Sequence, residues 1–343
     1  METMNQQNQT ALQSENTCEM AANSISRLGW MFLIGTAVIY AAQMIVGNVV
    51  KLVRPQWLED PTINLIISMI PLYLIGMPAL IAFVKRLPGK APEKRAIKKG
   101  HFLIALIMCY AAMYCSNFVG VIITTVIGMI KGHAVDNAIF DIALNSNMVV
   151  TFIYMVICAP IMEEYIFRKL IVDRTARFGE GVAVVVSGVM FGLFHGNLSQ
   201  FIYATVLGMF FAFLYVKTGN LKITIALHMI INFMGAVVAT LILKGIHFTE
   251  YLELSASGDM AAMMSHMMNY LPAWIVYMIY IFVLFALVIT GLVLLIVFRK
   301  RFVVNPGEVT IPKGQRFKTI FLNFGMLVYS LFWIGMIIVQ LFQ

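Results

Sequence analysis

Long apolar stretches recur along this chain of 343 residues, and they restrict its fold more than any other feature. A hydrocarbon core about 30 Å thick is crossed by a helix of about 20 apolar residues, and inside it every backbone amide must be satisfied by the protein. The sequence therefore predicts an all-α, polytopic transmembrane helical bundle of eight or nine spans. The nine candidates are 29–50, 62–84, 102–130, 147–167, 181–196, 199–216, 223–243, 271–298 and 317–341; the fifth and sixth are short and nearly adjacent.

The segment 1–28 differs from the rest because it is polar and rich in Asn, Gln and Ser. It lacks the apolar core of a secretory signal, so the first span is expected to be a genuine membrane helix. We expect a disordered cytoplasmic tail over 1–28 and a single transmembrane domain over 29–343. The acidic, Met-rich connection 244–270 is expected to cap the outer face.

The positive charges are distributed asymmetrically around the predicted spans. If the N-terminus is inside, 20 of the 24 Lys and Arg residues fall in cytoplasmic segments and four fall outside. This bias predicts an N-in, C-out protein of the cell membrane. The net charge of +8 is spread over loops that flank the membrane, which favours the lipid bilayer as a partner and argues against nucleic acid. The cytoplasmic segments are Arg27, 85–99, 168–180, 217–222 and 299–318.

Two neighbouring spans carry small residues at intervals of four. Such stripes allow close helix packing in membranes. The residues are Gly188, Gly192 and Gly196 in one span, and Ala204, Gly208 and Ala212 in the next.

An acidic pair lies at the end of one apolar run. Glu163 and Glu164 are the only two of the 16 acidic residues inside or against an apolar segment, where a carboxylate usually marks function. Glu164 has Arg168 four residues later, which is the favourable order for a helix ion pair. Glu163 points about 100° away and lacks that partner. Pro160 is expected to kink the helix and to open a polar cavity beside Glu163.

Two of the six histidines lie within or at the end of apolar spans. His195 ends one span. His228 begins another, and Asn232 follows it by one helical turn on the same face. One such histidine is ordinarily a helix–helix contact, but two of them with a glutamate pair indicate chemistry.

These residues form three ordered motifs. They resemble the motifs of the CAAX-protease and bacteriocin-processing (CPBP) family of intramembrane proteases, which includes the type II CAAX prenyl endopeptidase. The resemblance covers a core of 146–241 and implies a glutamate-dependent membrane protease. It places Glu163, His195, His228 and Asn232 in the catalytic site, with Glu164, Arg168 and Phe191 in support. The motifs are Glu163-Glu164-x-x-x-Arg168, Phe191-x-x-x-His195 and His228-x-x-x-Asn232.

Peptide hydrolysis needs a base that activates water and donors that hold the oxyanion. Glu163, helped by His195, fits the first task, and His228 with Asn232 fits the second. No cofactor is indicated. Zinc is an alternative because glutamate and two histidines are zinc ligands, although the HExxH pattern is absent. A catalytically silent bacteriocin-immunity or regulatory protein and a small-solute transporter are further alternatives.

The substrate class stays open at this stage. Prenylated CAAX proteins, peptide pheromones and bacteriocin precursors all fit a protease that acts on membrane-associated proteins or peptides, and the resemblance suggests a bacterial cell membrane. One difficulty concerns depth. Glu163 and His228 are predicted near the cytoplasmic ends of their spans, whereas His195 is about 21 Å into its own. The fifth helix must therefore begin outside the bilayer or be tilted.

Overall fold

The computed structural model describes residues 2–133, 135 and 138–342, and this part of the chain contains helices and no strand. The predicted all-α class is confirmed. The helices are α1 (Glu2–Val53), α2 (Pro61–Lys85), α3 (Lys99–Lys131), α4 (Ala138–Asn145), α5 (Met148–Phe178), α6 (Glu180–Phe194), α7 (Leu198–Thr218), α8 (Leu221–Gly245), α9 (Phe248–Ser257), α10 (Met260–Asn269), α11 (Leu271–Val297), α12 (Arg316–Phe321) and α13 (Phe324–Leu341).

Among the described residues, eight helices are long and apolar enough to cross a membrane. They correspond to eight of the nine candidate spans. The exception is α6, which has 15 residues and rises only about 22 Å. It is apolar but shorter than the hydrocarbon core. The eight spanning helices are α1, α2, α3, α5, α7, α8, α11 and α13.

The first span begins far earlier than expected. Residues 15–28, predicted to be disordered, continue α1 as helix. Ala21, Ile25 and Leu28 repeat at helical spacing, and each is at most 1 % exposed in the main apolar core. This burial stabilises the helix. The helix was not predicted from the sequence because the residues around these three are polar.

The basic segments meet at one end of the bundle. Lys90 pairs with Glu308 at 2.7 Å, the Arg95 amide donates to the Thr218 carbonyl at 2.6 Å, and the Asn305 amide donates to the Glu180 carboxylate at 2.6 Å. The Gly325 amide donates to Ser26 Oγ at 2.9 Å and ties the middle of α1 to the start of α13. At the opposite end, α9 and α10 form a helical hairpin over 248–269. The alternation of loops therefore agrees with the predicted topology, while its direction across the membrane stays a prediction.

Helix α5 is longer and less regular than predicted. The segment 168–180 was predicted as a cytoplasmic loop, but α5 continues to Phe178. Two of its basic side chains bond within the helix, since Lys169 pairs with Asp173 at 3.1 Å and Arg174 donates to the carbonyl of Leu170 at 3.0 Å. Wider π-helical turns occur before and after the segment that holds Pro160, at Phe152–Cys158 and Glu164–Val172.

Helices α6 and α7 pack closely along their small residues. A Cβ added at Gly188 would lie 2.9 Å from the Thr205 carbonyl oxygen, and one at Gly208 would lie 3.1 Å from Gly188 Cα. The predicted packing role is thus confirmed for these glycines. Gly196 does not share it, because it lies in the turn after α6 with φ +64°. That left-handed conformation favours glycine for a backbone reason.

Candidate active site

A fully buried ion pair forms the base of the site. The guanidinium of Arg168 binds both carboxylate oxygens of Glu164, with Nε and Nη2 each at 3.0 Å, and both side chains are 0 % exposed. Ser187 on α6 accepts a weaker contact from Arg168 Nη1 at 3.4 Å and donates to the Phe167 carbonyl at 2.7 Å. The pair predicted from the spacing is present, but Arg168 lies inside the protein and is no loop residue. Glu164 is therefore a neutralised carboxylate held in a fixed orientation.

Two aromatic rings enclose this arginine. Arg168 Cζ lies 4.4 Å from the ring centroid of Phe191 on α6 and 5.7 Å from that of Phe211 on α7. A guanidinium over such rings gains a cation–π attraction that grows when water is excluded. Both phenylalanines are at most 2 % exposed. The arginine is thereby held in an apolar environment that would otherwise disfavour its charge.

His228 joins the ion pair to the second glutamate. Its Nδ1 lies 3.0 Å from Glu164 Oε1, and its Nε2 lies 3.7 Å from Glu163 Oε2. An ionised carboxylate only accepts hydrogen bonds, so Nδ1 carries a proton. The ring packs against Phe191 and Phe211, with centroid distances of 6.1 and 5.6 Å. The Nε2 atom is thus directed to the side of the site where Glu163 lies.

Asn232 lies one turn beyond His228, as its spacing predicts. Its Nδ2 donates to the Met155 carbonyl at 2.7 Å. Met155 belongs to the π-helical stretch Phe152–Cys158, in which backbone pairing departs from the regular α-helical pattern. The asparagine therefore fastens α8 to α5, and the second hydrogen on Nδ2 is left for another acceptor.

Glu163 is the accessible carboxylate of the pair. Its side chain is 20 % exposed, whereas that of Glu164 is 0 % exposed. The carboxylate lies close enough to act electrostatically on three partly buried tyrosines, namely Tyr73 on α2, Tyr154 on α5 and Tyr203 on α7. Glu163 therefore lies near polar side chains from three helices, whereas the polar cavity predicted beside it stays a prediction.

His195 lies at the same depth as Glu163. The turn at Gly179 joins α5 to α6, and each residue is 16 positions away from it along its own helix, about 24 Å at helical rise. The rings of Phe167 and Phe191 meet at 5.1 Å, which shows that these helices run side by side. The depth difficulty disappears because α5 continues beyond the predicted end of its span, so that Glu163 is near the middle of its helix.

The tautomer of His195 follows from its backbone contact. Nδ1 lies 2.8 Å from the Phe191 carbonyl oxygen, which can only accept. Nδ1 therefore carries the proton, and Nε2 of the neutral ring is an acceptor. The Phe191 ring lies 4.8 Å from the imidazole and holds it edge to face. The same Phe191 ring lies 6.1 Å from the ring of His228, so one side chain packs against both histidines.

The structure thus assembles all of the predicted residues around one region. Their roles are not tested by these contacts and stay predictions. Sequence reasoning missed several contributors, of which Ser187 carried a weak signal, since it precedes Phe191 by one turn of the same helix. The tyrosines and Phe211 carried none, because their partners are distant in sequence. The missed side chains are Ser187, Phe211, Tyr73, Tyr154 and Tyr203.

Within the described part of the chain, no group of three or more His, Cys, Asp or Glu side chains has the geometry of a metal site. The arginine that binds both oxygens of Glu164 also removes that carboxylate as a free ligand. The question of a metal therefore rests on experiment.

Fold and site together define a polytopic helical membrane protein with a partly exposed glutamate beside two histidines in its interior. Residues 145–234 match the family model described as "Type II CAAX prenyl endopeptidase Rce1-like". This segment holds all three motifs, and the match supports the resemblance to the CPBP family of type II CAAX endopeptidase-like proteins that the motifs predicted.

Two curated bacterial proteins are similar over the same region. One, from Bacillus subtilis (strain 168), is named "Putative membrane peptidase YdiL"; it is 31 % identical over 127 residues, which are 36 % of this chain and 50 % of that protein. The other is the "Membrane-embedded CAAX protease MroQ" of Staphylococcus aureus (strain USA300), 28 % identical over 151 residues, 42 % of this chain and 58 % of that protein. The chain thus spans little more than half the length of these relatives. No solved structure matches it.

Proposed function

We propose that this chain is a membrane-embedded endopeptidase that hydrolyses peptide bonds of membrane-associated proteins or peptides. The observation that carries the proposal is the position of Glu163, which is partly exposed and lies 3.7 Å from His228 in an apolar interior, where the ring of Phe191 contacts both His228 and His195. The names of the similar proteins, a membrane peptidase and a CAAX protease, support the same class of reaction.

In the proposed reaction Glu163 acts as the general base. A water molecule gives one proton to the Glu163 carboxylate, and its oxygen attacks the carbonyl carbon of the substrate. His195 Nε2, an acceptor in its neutral form, receives a hydrogen bond from the remaining water hydrogen. The C–N bond then breaks, and protonated Glu163 returns its proton to the leaving amine, so that the carboxylate is regenerated.

The oxyanion is proposed to be held from α8. Asn232 offers the Nδ2 hydrogen that Met155 does not use. Glu164 fixes one proton of His228 on Nδ1. The Nε2 atom can therefore donate to the oxyanion only when the imidazole carries a second proton. Donors placed in advance around a developing negative charge account for a large share of catalysis in acyl transfer.

Glu164 and Arg168 are proposed to support the site without touching the substrate. Arg168 fixes the carboxylate of Glu164, and that carboxylate fixes the ring of His228. Phe191 contacts Arg168 and both histidines, so its ring sets their relative positions. In this proposal the two adjacent glutamates have different roles, because only Glu164 is held by an arginine.

The proposed substrates reach the site from the membrane. Prenylated CAAX proteins, bacteriocin precursors and pheromone precursors are the candidate classes, and the basic end of the bundle is proposed to face a bacterial cytoplasm. A lipid-anchored tail in the inner leaflet would then approach the same end as the turns at Gly179 and Gly219.

The test uses purified protein in liposomes with a panel of peptides. The panel contains a farnesylated peptide ending in a CAAX sequence, the same peptide without the lipid, and a precursor with an apolar leader. Mass spectrometry of the products identifies the cleaved bond.

We expect cleavage of at least one lipid-anchored or membrane-associated member and retention of activity in a chelator. Loss of activity in the chelator with recovery on adding zinc would establish a metalloprotease. Absence of cleavage across an extended panel would favour the silent immunity or regulatory protein.

A further inference from the structure

A cavity of about 410 Å³ lies at the basic end of the bundle, and none of its residues belongs to the three sequence motifs. Its walls come from three segments, namely the early part of α1, the connection that follows α2 and the end of α5. The volume is in the range of sites that bind small ligands. Six of the lining side chains are polar or charged: Asn16, Glu19, Asn23, Ser24, Arg27 and Arg177.

The walls are fastened to one another by contacts that do not use these side chains. Arg174 Nε on α5 donates to the Val84 carbonyl of α2 at 2.9 Å. The backbone carbonyl of Arg177 accepts the Val309 amide at 2.9 Å. On α1, Leu28 is 1 % exposed in the main apolar core. The cavity is therefore formed by the fold, and its polar side chains are left for another purpose.

The lining side chains have no partners within the described part of the chain, where none of the six forms a side-chain hydrogen bond or an ion pair. Arg177 Nε is buried without an acceptor, although its guanidinium lies 4.6 Å from the ring centroid of Phe178. Buried donors ordinarily have an acceptor. Glu308, next to Val309, does not supply it, because its carboxylate is bonded to Lys90 at 2.7 Å. The arrangement indicates a ligand that brings acceptor oxygens.

The charge of the cavity indicates the kind of ligand. Two arginines and one glutamate give the lining a net charge of +1. A guanidinium matches a phosphate group with two parallel N–H···O bonds. Arg27 directly precedes the apolar run of α1 that begins at Leu28, so it lies at the level of the lipid headgroups.

We propose that this cavity binds the headgroup of phosphatidylglycerol from the adjacent leaflet. Its phosphodiester would lie on Arg27 and Arg177, and its glycerol hydroxyls would donate to Glu19 and to the amide oxygens of the lining. The single negative charge of this headgroup neutralises the cavity, whereas a zwitterionic headgroup would leave the net charge uncompensated. The inference goes beyond the proposed function and does not depend on it.

The test is native mass spectrometry of the delipidated full-length protein in detergent. The protein is titrated with phosphatidylglycerol, with phosphatidylethanolamine and with soluble glycerophosphoglycerol, which has the same headgroup without acyl chains. The cavity variants are Arg27→Gln and Arg177→Gln. Arg299→Gln is the matched control, because Arg299 is an exposed arginine at the same end that does not line the cavity. The thermal midpoint of each variant shows whether it is folded.

We expect the wild-type protein to bind a first molecule of phosphatidylglycerol more tightly than phosphatidylethanolamine or the soluble headgroup. Each cavity variant should bind that molecule about tenfold more weakly, as expected for the loss of one charge-assisted hydrogen bond. Arg299→Gln should bind it as the wild type does. Phosphatidylglycerol should also raise the thermal midpoint of the wild type more than that of the cavity variants, because a ligand of the folded state stabilises it.

Equal affinities for phosphatidylglycerol in folded Arg27→Gln and Arg299→Gln protein would overturn the site. If Arg177→Gln does not fold, Arg27→Gln decides the question, because Arg27 is exposed. Equal binding of the two lipids would overturn the match of charge. Soluble glycerophosphoglycerol that binds as tightly as the lipid would assign the cavity to a free phosphodiester and overturn the lipid. None of these outcomes depends on whether the protein cleaves peptides.

Discussion

Arg168 shows how one residue sets the character of the whole site. It neutralises Glu164 with two hydrogen bonds of 3.0 Å and lies between the rings of Phe191 and Phe211. Glu163, which has no arginine partner, is then left 3.7 Å from His228. Without the arginine, two adjacent glutamates would compete for protons, and their roles would not be separated.

Replacing Arg168 with alanine should lower both stability and protein level. The change leaves Glu164 buried without a counter-charge, for which breaking a buried pair costs about 3–5 kcal/mol. A thermal unfolding assay in detergent measures the loss. The control is Lys90→Ala, because the Lys90–Glu308 pair is largely exposed, with side-chain exposures of 83 % and 64 %, and such pairs contribute little. Equal midpoints for the two variants would show that the buried pair is not required.

At the residue scale, spacing along the sequence predicted the contacts that lie within one helix. The Glu164–Arg168 pair and the shared face of His228 and Asn232 follow from intervals of four. The contact of Asn232 with Met155 could not be predicted, because it depends on a π-helical turn 77 residues away in α5. The proximity of Tyr73 and Tyr203 to Glu163 could not be predicted either, because both tyrosines come from other helices.

At the element scale, the antiparallel helices α5, α6 and α7 position the candidate catalytic residues Glu163 and His195. The turn at Gly179, with φ +117°, aligns Glu163 with His195, and the glycine stripe of α6 allows α7 to approach. The apolar runs predicted the existence of these helices well. Their ends were predicted poorly. Paired charges allow α5 to continue into a segment with a polar sequence, and buried apolar residues do the same for α1.

Substituting alanine for Gly192 should separate α6 from α7. A Cβ at this position would lie 2.7 Å from the Phe201 carbonyl oxygen, which is backbone and cannot move aside alone. Overpacking of this kind typically costs about 1–3 kcal/mol, and His195 lies only three residues further on, so activity should fall with the thermal midpoint. Gly235→Ala in α8 is the control, because nothing lies within 4 Å of its added Cβ. Similar behaviour of both variants would argue against close packing of α6 and α7.

At the scale of the whole molecule, one end of the bundle carries the basic connections, and the helical hairpin of α9 and α10 lies at the other. The sequence predicted which segments share an end, and contacts such as Lys90–Glu308 agree. The direction across the membrane depends on charge in the short loops and requires its own measurement.

Single cysteines introduced into a variant without native cysteines will report that direction. Positions 94 and 313 lie at the basic end, position 253 lies in α9 at the other, and all three are exposed. We expect an impermeant thiol reagent to label position 253 in intact cells, and positions 94 and 313 only after the membrane is opened. The reverse pattern would place the basic end outside and would exclude substrates held in the inner leaflet. Position 173 would be unsuitable, because Asp173 is only 9 % exposed.

The central claim is that Glu163 performs the chemistry of a membrane endopeptidase. Its most direct test is the rate of peptide cleavage by purified Glu163→Gln protein in liposomes, compared with wild type and with Glu250→Gln, which changes an exposed glutamate in α9. The amide keeps the size of the side chain but cannot accept the proton from water. We predict that Glu163→Gln stays folded with cleavage reduced at least about a thousandfold, while Glu250→Gln cleaves at the wild-type rate. Cleavage by Glu163→Gln at the wild-type rate would contradict the account.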